Sequence, residues 1–263
     1  MLHVLPLRSG SSTTQICCLQ HFTKEGNDMN FGETALTQHL GDFARQRGAD
    51  LLGIADVTPA YDFIASQGNP NIGRFPRAVS IGMQLCGAIV EQHTPDEPRR
   101  QSLYWHHVYE VVTRALDFLA YDIARWLTGW GFNAFPVPAS TPYNFDKLEG
   151  VFSHKLAAHL AGVGWIGKSC LLLTDRFGPR VRLVSVLTDA PLETGSTLDK
   201  PCGQCRVCVE ACPVKAFTGV EFQADQGREV RFDVFKCSEY RREHPCGLCV
   251  SSCPKGRSRD RQG

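Results

Sequence analysis

Two stretches toward the C-terminal end carry most of the chemistry that the residue types can support. Residues 202–213 read CGQCRVCVEACP, a C-x2-C-x2-C-x3-C-P run, and residues 246–254 read CGLCVSSCP, with Cys237 nine positions ahead of Cys246. Three cysteines at this spacing let one tight loop wrap an iron–sulfur cluster and ligate three of its irons. The fourth, past a helical turn and followed by proline, reaches across to another cluster. The spacing groups Cys202, Cys205, Cys208 and Cys253 around one [4Fe–4S] cluster, and Cys212, Cys237, Cys246 and Cys249 around a second. Zinc is the rival, because four-thiolate zinc sites also use C-x2-C knuckles; those sites pair two knuckles and do not run three cysteines into a C-P. Charge agrees with clusters. Residues 194–263 hold twelve Lys and Arg against nine Asp and Glu, and the surplus offsets thiolate-ligated clusters. The terminal KGRSRDRQG reads as a solvated basic tail.

A second stretch with chemical content is GVGWIGKS, residues 162–169. It satisfies both the dinucleotide pattern G-x-G-x-x-G and the phosphate-loop pattern G-x-x-x-x-G-K-S. Each of those needs a strand before the glycines and a helix after them, so that the helix N-terminus faces the phosphate. Here the order is reversed. Leu156, Ala157, Leu160 and Ala161 form a helical stripe upstream, with Ser153 as N-cap and Gly162 just past the end, while SCLLLTD downstream reads as a buried strand. A phosphate-binding turn is not expected.

These residues need a scaffold, and the rest of the chain reads as one. Leu36, Leu40 and Phe43 predict a helix ended by Gly48; LLGIA (51–55) and AVSIGMQL (78–85) read as strands, and 56–76 and 92–102 as loops. The longest helix is expected over Tyr104–Thr128, with Val108, Val111, Val112, Leu116, Leu119, Ile123 and Leu127 on one face. FNAFPVP (132–138) reads as an edge strand, because proline excludes a central one. VRLVSVLTD completes an α/β or α+β layered core ending near Ala190. A formal charge of +1 gives no general affinity for nucleic acid or membrane, and no apolar run approaches the ~20 residues of a membrane span. Of the twelve cysteines, Cys86 and Cys170 read as buried structural thiols. Residues 1–28 show no periodicity and no signal layout, and translation is expected to start at Met29, with 1–28 a non-native or disordered leader. The expected divisions are that leader, a core over 29–193 and a double-cluster domain over 194–263.

SHKLAAHLAGVGWIGKSCLLL, RLVSVLTDAPLE, CGQCRVCVEACP, KCSEY and CGLCVSSCP, in this order, resemble the epoxyqueuosine reductase family and, more widely, the double-cluster branch that includes reductive dehalogenases. The match runs from about Leu51 to Pro254. The resemblance implies a nitroreductase-like α/β (α+β) core binding cobalamin, with a C-terminal two-cluster bacterial ferredoxin-like module feeding it electrons. FMN is the alternative cofactor. A low-potential donor such as ferredoxin or flavodoxin, a cytoplasmic location and no membrane partner are implied as well. Gly164, Trp165, Ile166, Gly167 and Lys168 match the family's AGLGWIGK segment beside the cofactor pocket and cluster module, where glycines would admit a bulky macrocycle. His154 and Lys155 are expected to line that pocket. The chain departs from the family in two places. The family's Asp-Tyr-His near the start of the long helix is replaced by Tyr104-Trp105-His106-His107, without a carboxylate, which leaves Tyr104 and His106 as the candidate catalytic residues and His107 and Tyr143 as further candidate proton donors. Ten residues follow Cys253, whereas the tRNA-modifying members continue further, which counts against tRNA as the substrate. An electron carrier or corrinoid-handling protein without a reaction of its own is the alternative expectation.

Overall fold

The computed structural model describes residues 32–67, 72, 75–94, 97–140 and 144–257. The expected leader, Met29, Tyr143 and the tail beyond Arg257 lie outside the described residues. Helix α1 (Glu33–Gln46) leads into β1 (Leu51–Asp56), followed by α2 (Tyr61–Ser66), β2 (Arg77–Gln84), α3 (Gly87–Glu91) and α4 (Pro98–Trp105). A π-helical segment, His106–Val112, joins α4 to α5 (Thr113–Gly129). Next come β3 (Ala134–Val137), α6 (His154–Leu160), the short pair β4 (Trp165–Ile166) and β5 (Leu172–Leu173), and β6 (Val181–Thr188). Helices α7 (Val207–Glu210), α8 (Val234–Glu243) and α9 (Leu248–Ser251) belong to the cysteine-rich part.

The main sheet runs β1-β2-β6-β3, and every neighbouring pair is antiparallel. Its two inner strands, RAVSIGMQ and VRLVSVLT, are rich in β-branched residues and buried on both faces. On one face Val79, Ile81, Val184 and Val186 meet Leu36 and Leu40 of α1 and Leu116, Ile123 and Leu127 of α5. On the other, Ala55, Ala78 and Leu187 meet Ala157 and Ala161 of α6. Small residues let α6 lie close: a Cβ on Gly53 would stand 3.0 Å from the Ala161 carbonyl oxygen. The Pro136-containing β3 is an edge strand, as proline requires.

Five expectations need correction. The 56–76 loop contains α2, and the 92–102 loop contains the start of α4, which takes Pro98 at its first turn, where a missing N–H costs nothing. The long helix is interrupted by a π-helical segment, at the end of which Thr113 Oγ1 donates to Val108 O, five residues back, at 2.9 Å. Leu116, Ile123 and Leu127, each contributing roughly 2 kcal/mol on burial, hold α5 on the sheet despite that irregularity. SCLLLTD contributes only the two-residue β5, paired with β4 outside the main sheet. Of the two isolated thiols, Cys170 is buried as expected but Cys86 is exposed.

Candidate iron–sulfur centre

The cysteine-rich part gathers its thiols in two groups. Burial pushes the Cys208 thiol up to about 11, helped by Cys253, Cys202 and Cys205 beside it. Burial also raises Cys249, whose neighbours are Cys246, Cys237, Cys208 and Cys212. Cys237 and Cys246 are raised in the same way, each with Cys212 among its neighbours. Cys202, Cys205 and Cys253 thus lie about Cys208, and Cys212, Cys237 and Cys246 about Cys249, with Cys208 and Cys249 near each other. Gathering like-charged ligands in a low-dielectric interior is unfavourable unless cations are to be bound among them. Among the described residues no three His, Cys, Asp or Glu side chains converge on one ion position.

Local structure explains the arrangement. Cys208 rides on α7 and Cys249 on α9, two single-turn helices packed against each other. Behind them Phe217 and Phe232 stack at 4.9 Å across an isolated antiparallel bridge, with Val209 and Ala216 in the same small core. The Ala216 N–H donates to Cys212 Sγ at 3.3 Å, a contact of the kind that tunes cluster potentials.

The GVGWIGKS loop is a platform under this part. Gly162 takes a left-handed φ of +70° at the end of α6, where any Cβ would fall 2.3 Å from Ser196 O. A Cβ on Gly164 would fall 2.2 Å from Leu173 O, and one on Gly167 would meet Leu173 and approach Cys202 Sγ at 3.3 Å. The close approach these glycines allow is to β5, the 196 segment and Cys202 Sγ. Trp165 is buried beneath Lys200, and Ile166 pairs with Leu172. Lys168, also buried, donates from Nζ to the carbonyls of Gly203 and Cys205 and faces Glu221 at 3.4 Å. Glu221 in turn accepts from the Cys202 and Gly203 N–H groups. Lys168 therefore clamps the first cysteine loop.

Where core and cysteine-rich part meet there is a cavity of ≈ 220 Å³. All four cysteines of the second quartet line it, opposite Tyr109, Lys155, Cys170 and Arg182 of the core. Lys155 Nζ donates to Cys170 O at 2.7 Å, and burial lowers its pKa. Cys170 itself holds a left-handed φ of +54°, unusual for a residue with a Cβ. Tyr104 lines the cavity too, but as a wedge. It is buried, it stacks on His93 at 4.5 Å, and it covers Gly247 so closely that a Cβ there would lie 2.2 Å from its ring. Burial raises its phenol, which suits packing and not proton donation. His93 Nε2 accepts from Gly247 N–H, so core residues hold this cysteine loop as well. His106 is exposed on the π segment and does not line the cavity. His107 Nε2 accepts from Cys86 N–H. His154 is turned inward, between Ser185 Oγ at 2.9 Å and Pro138 O at 3.0 Å. Sequence reasoning missed His93, Tyr109, Arg180, Arg182 and Arg241, because no spacing rule marks a residue that acquires its role when two parts dock.

The fold and the thiols define a class: a mixed α/β core carrying a ferredoxin-like double-cluster module. Residues 201–257 match the family model described as a 4Fe-4S dicluster domain. The chain is similar to the epoxyqueuosine reductase of Bacillus anthracis, 30% identical over 128 residues that cover 42% of this chain and 31% of the relative. It is similar also to that of Synechococcus sp. (strain RCC307), 27% identical over 181 residues covering 66% and 53%. The chain thus spans 31% of the length of the first of these relatives and 53% of the second. In structure it is similar to a reductive dehalogenase described as suggesting a mechanism for B12-dependent dehalogenation (TM-score 0.69, 22% identity, 88% of this chain and 33% of that one). It is similar as well to an epoxyqueuosine reductase solved with an epoxyqueuosine-modified tRNA-Tyr stem loop (TM-score 0.57, 18% identity, 85% and 66%). The likeness read from the sequence blocks extends to the fold. Among the described residues no helix is long and apolar enough to cross a membrane.

Proposed function

We propose that this protein is an iron–sulfur reductase. Cys202, Cys205, Cys208 and Cys253 hold one [4Fe–4S] cluster and Cys212, Cys237, Cys246 and Cys249 the other, and electrons pass between them toward the core. The observation that carries this is the placement of the second quartet: all four thiols line a cavity whose far wall is the α/β core. A one-electron carrier needs exposed clusters only, whereas a reductase needs one cluster against the site of chemistry. A low-potential protein such as ferredoxin or flavodoxin is the proposed donor.

The acceptor in the core is proposed to be cobalamin, on the similarity to the B12-dependent dehalogenase. When bound, cobalamin supplies a low-potential cobalt centre for two-electron reduction. The residues present fit the clusters. The cavity beside them measures ≈ 220 Å³; FMN is the smaller alternative. What the chain itself offers at the cavity is a buried lysine held by a carbonyl, a tyrosine and two arginines, groups that can hold a proton or orient an anion. Epoxyqueuosine in tRNA is the first substrate to test. The second reading, an electron carrier without its own reaction, draws on Tyr104, which fills with a packed ring the place where a carboxylate was sought.

The test is anaerobic reconstitution followed by titration with cobalamin and, separately, FMN. Saturable binding of one group per chain with about eight irons present, followed by turnover of an epoxide, is the expected result. Eight irons with neither cofactor bound would leave the electron carrier.

A further inference from the structure

Two arginines cross the junction between core and module in opposite directions. Arg180 stands just before β6 in the core and is 2% exposed. Its guanidinium donates to Lys255 O at 2.7 Å, Cys253 O at 3.1 Å and Ser251 O at 3.3 Å, all on the turn that carries the last cysteine of the first quartet. Its Nε has no partner. Gly178 and Gly256 press together beneath it, with Lys255 O only 2.0 Å from where a Gly178 Cβ would be. Arg241 belongs to α8 of the module and reaches the other way. It donates to Tyr109 Oη at 2.7 Å and lies 5.0 Å over the Trp105 ring and 5.4 Å over that of Tyr109. Its buried Nε is also unpartnered.

Carbonyls, a phenol and aromatic faces satisfy donors but carry no net charge. A buried guanidinium left with such partners alone is unfavourable, because desolvation of the cation is not repaid. Each lies against one quartet: Arg180 donates to the backbone of Cys253 itself, and Arg241 lines the cavity together with Cys237 and Cys249. The two arginines thus divide between the two quartets.

We infer that Arg180 and Arg241 are dedicated counter-charges, one for each cluster, and that each sets the reduction potential of its own cluster while tying module to core. The inference rests on the two-cluster reading proposed above. Reduction adds one electron and no proton to a cluster, so its negative charge grows by one. A fixed cation alongside favours that state and raises the potential. Both arginines are positioning residues, since neither ligates iron.

The experiment is an EPR-monitored redox titration of the full chain, reconstituted anaerobically and reduced with dithionite, for the wild type, Arg180→Met, Arg180→Lys and Arg241→Met. Arg180→Met should move one cluster to lower potential and leave the other in place; Arg241→Met should move the other one. Arg180→Lys, which keeps the charge, should stay near the wild type. Unchanged potentials in both Met variants, or both clusters moving together in either, would overturn the inference. If Arg180→Met fails to retain its irons, Arg241→Met decides by the same criterion. A wild-type chain that cannot hold about eight irons would instead refute the two-cluster reading, and this inference with it.

Discussion

His154 has both ring nitrogens engaged, with Pro138 O taking the Nε2 proton and Ser185 Oγ facing Nδ1. Burial brings its pKa down from 6.5 to about 4. The folded value lies below the unfolded one, so the unfolded chain takes up the proton first as pH falls. Stability should therefore decline from about pH 6.5 toward about 4 and level off below that. His154→Gln should flatten this limb in urea melts across that range; an undiminished slope would show that another group is responsible. Lys168 makes a different kind of prediction. Lys168→Met removes the donor to Gly203 O and Cys205 O, so the first cluster should be lost preferentially. Iron content after gel filtration should fall toward half, and a full complement would show that the clamp is dispensable. The cysteines were legible in the sequence because cluster ligation is a local matter of spacing. His93, Arg180 and Arg241 were not, since their roles arise only when the module packs on the core.

Among the elements, periodicity exposed α1, α5 and the inner strands, whose apolar faces repeat cleanly. It could not reveal the π segment, whose residues keep an ordinary helical pattern while the hydrogen bonding shifts by one residue. Helices α2 and α4 were hidden among prolines and polar residues that read as loop. The β4–β5 hairpin was half legible: its glycines were noticed, and their reason lay in a neighbouring backbone. Two substitutions probe such contacts. Gly164→Ala should destabilise by about 1–3 kcal/mol through overpacking against Leu173 O, read as a lower urea midpoint with unchanged slope. Gly247→Ala should displace the second cysteine loop from the Tyr104 ring and release iron. Combining it with Tyr104→Ala should restore much of that iron; no rescue would mean that Tyr104 is not the wedge.

For the molecule as a whole, eight thiols drawn together without iron oppose one another, whereas the core is held by its own apolar layers. Anaerobic chelation should leave the helix and sheet signal of the core largely intact. Limited proteolysis should then cut first within residues 201–257, the segment of the dicluster match; first cuts in the sheet would refute a self-sufficient core. The interleaved quartets bear on how the chain is made. Cys208 must wait forty-five residues for Cys253, and Cys212 must wait for Cys237 and beyond. On the proposed ligand assignment, the first cube cannot close until residue 253 has been made, nor the second until residue 249. The strands, complete at Thr188, are made long before the last thiol exists. Metal loading thus follows the making of the strands, and the sheet is the workbench on which it takes place.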